Sequence, residues 1–97
     1  MTDVELAKQF AESRIIPCQT NIHRSMAVRY AMDAALDMAE YKDKMNYEQL
    51  REHEKELYKQ FITSISNLYG CDDEFFSTIF YNEVNDFKKL LKVYEPD

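Results

Sequence analysis

Apolar positions recur along the chain at three- and four-residue steps, the period of an amphipathic helix, and helix punctuation divides them into four segments. The first opens at Thr2, which with Glu5 has the spacing of a capping box, each side chain placed to satisfy a free backbone N–H. Val4, Leu6, Ala7, Phe10 and Ala11 give it an apolar face. Pro17 ends it, because a proline drives the preceding residue out of helical geometry. Ile15-Ile16-Pro17-Cys18-Gln19 then reads as a connection whose isoleucines pack inward.

The second segment runs from Thr20 or Asn21 to about Lys44. Its polar groups, Ser25, Arg29, Asp33, Asp37, Glu40 and Lys44, fall within roughly a third of the helix circumference at 100° per residue. The rest is Val28, Tyr30, Met32, Leu36, Met38, Tyr41 and the alanines 27, 31, 34, 35 and 39. A helix apolar on so many sides is surrounded by other helices or by a second subunit. Its alanines let neighbours come close, so this helix is expected at the centre of the fold.

Asn46 caps the third segment, with Gln49 at the reciprocal position. Gly70 supplies a left-handed C-terminal stop. From Tyr47 to Glu56 only Tyr47 and Leu50 are apolar, which predicts a solvated or polar-lined half. Leu57, Phe61, Ile62, Ile65, Leu68 and Tyr69 then form a core stripe. The fourth segment starts at Asp72 or Asp73 and precedes Pro96, with Phe76, Ile79, Phe80, Val84, Phe87, Leu90, Leu91 and Tyr94 on one face. Asp72, Asp73 and Glu74 suit the positive end of the helix dipole, and Lys88, Lys89 and Lys92 the negative end. Asn82-Glu83-Val84-Asn85 is the stretch where a kink is expected.

Short loops make sequential helices antiparallel. A single glycine in 97 residues argues against hairpins and tight turns. The expected fold is therefore all-α: one domain over residues 1–97, a compact four-helix bundle with a short N-terminal helix and three long ones. That length lies near the small end for one core, so a second copy or a partner would add useful buried surface.

The formal charge is −6 and uneven. Residues 1–30 carry four basic and three acidic groups, residues 31–70 five and eight, and residues 71–97 three and seven. Such a surface repels duplex phosphates, so direct DNA binding is not expected. No apolar run approaches the ~20 residues that span a bilayer. The opening residues lack a basic region followed by an apolar stretch, so cytoplasmic residence is expected. Cys18 and Cys71 lie far apart and are read as free thiols.

Several chemistries lack their residues. One glycine cannot build a phosphate-cradling loop. Neither His23 nor His53 lies near a nucleophile in sequence, and neither has a glutamate three residues earlier, as di-iron bundles require. The carboxylates are more suggestive. Asp33 and Asp37 face one way on the second helix, and Glu52 and Glu56 share a face of the third, which Glu48 or His53 could join. Two facing pairs would offer the oxygen ligands that Mg²⁺ takes. The plainer alternative is a solvated stripe with Arg29–Asp33 and Glu40–Lys44 pairs at i,i+4.

Met26-Ala27-Val28, Asp33-Ala34-Ala35-Leu36-Asp37 and the turn Leu68-Tyr69-Gly70-Cys71-Asp72-Asp73-Glu74 carry a resemblance over about residues 22–90. In these stretches the chain resembles the MazG-like all-α nucleoside-triphosphate pyrophosphohydrolases. The resemblance implies Mg²⁺-dependent hydrolysis, with Asp33, Asp37, Glu52 and Glu56 as metal ligands. The spacing departs from that family's: Asp33 and Asp37, like Glu52 and Glu56, are four residues apart, where the family has three. An inactive nucleotide-binding relative is the other form of this reading.

His23, Arg24, Arg29 and Tyr30 form a basic–aromatic cluster at the start of the second helix, suited to an anion or a nucleotide. Thirteen aromatics and five methionines exceed what a small core needs, and surplus Tyr and Met suit an interface. The sequence thus reads first as a non-enzymatic, cofactor-free interaction module that forms a homodimer through its second and fourth helices and binds a protein partner. Its Gly-poor, Asn/Asp/Lys/Tyr-rich composition fits an accessory protein of a viral or mobile genome. The alternative is the MazG-like Mg²⁺-dependent enzyme or its inactive relative.

Overall fold

The structure, a computed structural model, describes residues 2–18, 21–69 and 73–93. Helix α1 spans Asp3–Ile15, α2 Ile22–Tyr41, α3 Tyr47–Tyr69 and α4 Asp73–Leu91, with one 3₁₀ turn at Ile16–Cys18. The all-α four-helix bundle expected from the periodicity is what forms. Gln19, Thr20, Gly70, Cys71, Asp72, Tyr94 and Pro96 lie outside the described residues, as do the side chains of Cys18, Leu68, Tyr69 and Asp73.

The helix starts follow their capping residues. Thr2 Oγ1 accepts from the Glu5 N–H at 3.2 Å, and Asn21 Oδ1 from the Arg24 N–H at 3.0 Å. At α3 the box is fully reciprocal: Gln49 N–H donates to Asn46 Oδ1 at 2.9 Å and Asn46 N–H to Gln49 Oε1 at 3.0 Å. Helix α4 ends in a Schellman motif. Val93 N–H donates to the Lys88 carbonyl at 3.0 Å and Lys92 N–H to the Lys89 carbonyl at 3.4 Å. Lys92 sits at φ 55°, in the left-handed region that glycine usually fills, and Val93 is buried beside it.

Ring and ion contacts set the topology. Tyr30 meets Phe61 and Asp37 meets His53, so α2 and α3 are antiparallel. Phe61 meets Phe76 and Tyr58 meets Tyr81, so α3 and α4 are antiparallel. His23 meets Phe76 near both N-termini, while Lys42 Nζ donates to the Leu91 carbonyl near both C-termini, so α2 and α4 run parallel. Helix α2 touches all three others, and its closest partner is α4. Ala27, Ala31, Ala34 and Ala35 are buried on it, which is how two diagonal helices of a bundle come to touch. Among the described residues α1 and α3 do not meet. The cross-section is thus a rhombus with α2 and α4 across its short diagonal, and the molecule measures 36 × 28 × 20 Å. Buried residues of all four helices form one apolar cluster, with Phe61, Phe76, Phe80 and Phe87 its largest members.

The structure departs from the sequence reading in several places. Ile15 belongs to α1 and packs on the core, but Ile16 is exposed, as is Val4. Helix α2 stops at Tyr41, three residues early, where the Tyr41 carbonyl accepts from the N–H groups of Lys44 and Met45. Helix α4 runs without a break through Asn82–Asn85. Of the two forms expected for the first half of α3, solvated or polar-lined, the buried Glu54 beside Lys88 gives the second at that position. Lys88 stands in the last turn of α4, where the dipole reading put it, and is buried there. Neither Arg29–Asp33 nor Glu40–Lys44 is among the ion pairs of the described residues. Most tyrosines have intramolecular work, with Tyr30, Tyr41, Tyr58 and Tyr81 packed against the core.

Candidate functional site

The sequence-predicted residues separate. Asp33 and Asp37 line a groove of about 360 Å³ between α2 and α3, with Tyr30, Leu57, Gln60, Phe61 and Ser64. Partial burial raises the Asp33 carboxyl above the ordinary aspartate value. Asp37 is engaged by His53 Nε2 in a short hydrogen bond, and the His53 ring packs edge-on against Tyr41 at 5.7 Å. Glu52 and Glu56 are not in that groove. They lie on the outer face of α3, more than half exposed, beside Lys55 at 3.5 Å and Lys59 at 3.4 Å. Among the described residues no three His, Cys, Asp or Glu gather as a metal would need.

The basic–aromatic cluster also disperses, because successive positions on a helix point in different directions. His23 packs edge-on against Phe76 of α4 at 5.6 Å. Arg29 lines a shallow cleft with Lys8, Glu12 and Ile15 of α1. Tyr30 packs on Phe61 of α3 at 4.9 Å, and Arg24 is exposed.

Two charged constellations were not foreseen. Arg14 of α1 reaches Glu83 of α4 with both Nε (3.1 Å) and Nη2 (2.7 Å), and Nη2 lies 3.2 Å from Asp86. This bidentate clamp joins α1 to α4. The second is the buried pair between α3 and α4: Lys88 Nζ donates to Glu54 Oε2 at 3.1 Å and Oε1 at 3.4 Å, both side chains only 9% exposed. It floors a groove of about 440 Å³, walled by Tyr47, Arg51, Lys55, Tyr81 and Asn85. Burial, then the Glu54 carboxylate and Tyr58, hold the Tyr81 hydroxyl above the ordinary tyrosine value.

The signal for these groups was register rather than composition. Glu54 follows Leu50 by four residues and precedes Leu57 by three. Lys88 stands likewise between Val84 and Leu91, and Glu83 between Phe80 and Phe87. Each occupies a core-stripe position despite its charge.

A third feature lies at the end of the bundle where α2 and α4 begin. Ile22 of α2 and Phe75 of α4 are 61% and 46% exposed, and Ile16, in the turn before α2, is 63% exposed. No helix among the described residues is long and apolar enough to cross a membrane. Comparison with protein-family models, with curated proteins and with solved structures finds no match to this chain.

Proposed function

We propose that the protein is a non-enzymatic helical module that acts by binding another macromolecule, and that the end of the bundle bearing Ile16, Ile22 and Phe75 is its contact surface. The observation that carries this is the exposure of three large apolar side chains at one end of a bundle whose other large side chains mostly pack inside. Several large apolar side chains exposed at one end mark an interaction site more often than a single exposed side chain does. Two of the three belong to α2 and α4, the helices that the sequence nominated for an interface. In isolation the same end pairs two copies of the chain. Three side chains make a smaller contact than the ~800 Å² per partner of a standard interface, so the homodimer is weak.

The pyrophosphohydrolase reading has less behind it. It needs four carboxylates round one Mg²⁺, whereas Asp37 bonds His53, and Glu52 and Glu56 face outward beside lysines.

Sedimentation velocity from about 10 µM to 2 mM tests the proposal across the range of weak association. The weight-average sedimentation coefficient should rise with concentration, and Ile22→Glu should hold the chain monomeric without lowering its thermal midpoint. A wild-type coefficient fixed at the monomer value over the whole range refutes self-association through this end.

A further inference from the structure

We propose that the α3–α4 groove is a binding site for a small organic oxyanion, a carboxylate or phosphate carried on a planar apolar body. This site is separate from the apolar end of the bundle and does not depend on it. Its charge runs against that of the chain. Arg51, Lys55 and Lys88 line it against Glu54 alone, on a protein with a formal charge of −6.

The cations differ in how far they are already used. Lys88 and Glu54 largely neutralise each other at the floor. Lys55 lies 3.5 Å from Glu52 across an exposed i,i+3 pair, which holds it weakly. Arg51 forms no ion pair among the described residues. Its guanidinium instead lies over the Tyr47 ring, 5.6 Å from the centroid. A guanidinium beside an aromatic ring and outside any ion pair keeps its N–H fork for the two oxygens of a carboxylate or phosphate. Acidic residues are near: Glu48 and Glu52 share the outer surface of α3 with Arg51 and Lys55. They lie outside the groove, so they bias the entry of an anion but do not occupy the position between the two helices.

The remaining walls supply donors and a flat surface. The Tyr81 hydroxyl keeps its proton well past neutral pH and can donate, and Asn85 adds an amide. Tyr47 and Tyr81 give ring faces to an apolar body. The volume, about 440 Å³, is within the range of sites for small organic molecules. A bare inorganic ion would leave the rings unused, which is why the ligand is taken to carry a planar group.

The test is amide chemical-shift titration of the full chain with phenyl phosphate, benzoate and inorganic phosphate in low salt. Phenyl phosphate or benzoate should shift signals of residues 47–55 and 81–88 and leave those at the start of α2 in place. The stronger of the two identifies the oxyanion, and inorganic phosphate alone should bind at least tenfold more weakly than the stronger. Arg51→Gln should weaken that ligand by about tenfold or more, as the loss of a charged hydrogen bond does. Arg24→Gln, an exposed arginine on another helix, should not. Absence of shifts in residues 47–55 and 81–88 at millimolar ligand overturns the proposal. So does binding that Arg51→Gln leaves intact, or equal binding by inorganic phosphate.

Discussion

Replacing Lys88 by methionine should destabilise the protein far more than the loss of an ordinary surface lysine. The Glu54–Lys88 oxygen–nitrogen distance is 3.1 Å and both side chains are 9% exposed. At an effective dielectric of about 20, two unit charges at that separation attract by about 5 kcal/mol. Removing each ion from water costs several kcal/mol, so the pair as a whole comes out near zero, while either ion left alone is strongly unfavourable. Lys88→Met should therefore cost about 3–5 kcal/mol, against less than about 1 kcal/mol for breaking the exposed Lys59–Glu56 pair. The double change Glu54→Leu with Lys88→Met removes both charges and should recover most of the loss. Urea unfolding of the wild type, both single variants and the double variant gives the coupling energy directly. If Lys88→Met costs no more than an exposed lysine, the pair is not shielded from water and this reasoning is wrong.

Three further outcomes follow from local geometry. Lys92→Gly should stabilise the protein by about 1 kcal/mol, because φ 55° is free of strain for glycine, while Lys92→Ala should bring no gain; thermal midpoints decide. Asn46→Ala should cost about 1 kcal/mol, measured by urea unfolding, since it removes the acceptor for the Gln49 N–H at 2.9 Å. In alkali, ultraviolet titration should show a late-ionising tyrosine that Tyr81→Phe removes. Because Tyr81 sits above the ordinary tyrosine value of 10.0 in the folded state, its contribution is complete below that pH and is lost as pH rises through the folded value.

Local sequence made the helix starts and the centrality of α2 legible. Asn46 and Gln49 bond as their spacing says, and four of the five alanines of α2 are buried where its narrow polar stripe put them. Helix ends were less legible: nothing near Tyr41 marks a stop, and the pull of Pro17 did not bring Ile16 inward. The charged contacts were missed for a different reason. Arg14 and Glu83 are 69 residues apart, and Glu54 and Lys88 are 34 apart, so no i,i+4 rule links them. Glu54 was also hidden by its neighbours, since Glu52, His53, Lys55 and Glu56 make the whole stretch look solvated. Asp33 and Asp37 lie on a different surface from Glu52 and Glu56, because equal spacing within each helix says nothing about rotation between helices.

The rhombic cross-section has a consequence for how the molecule opens. Helices α1 and α3 flank one α2–α4 spine and, among the described residues, do not touch, so neither needs the other to stay docked. Helix α1 is held by Ala7 and Ala11 in the core, by Phe10 on Phe87, by Ile15 packed on the core and by the Arg14 clamp on Glu83. Loss of all these contacts would free one flank while the aromatic cluster joining α3 to α4 stayed whole, so α1 can open as a sub-global unit of its own. Amide protons of α1 then exchange through an opening that α3 does not share, and the bundle lets go of its helices one side at a time.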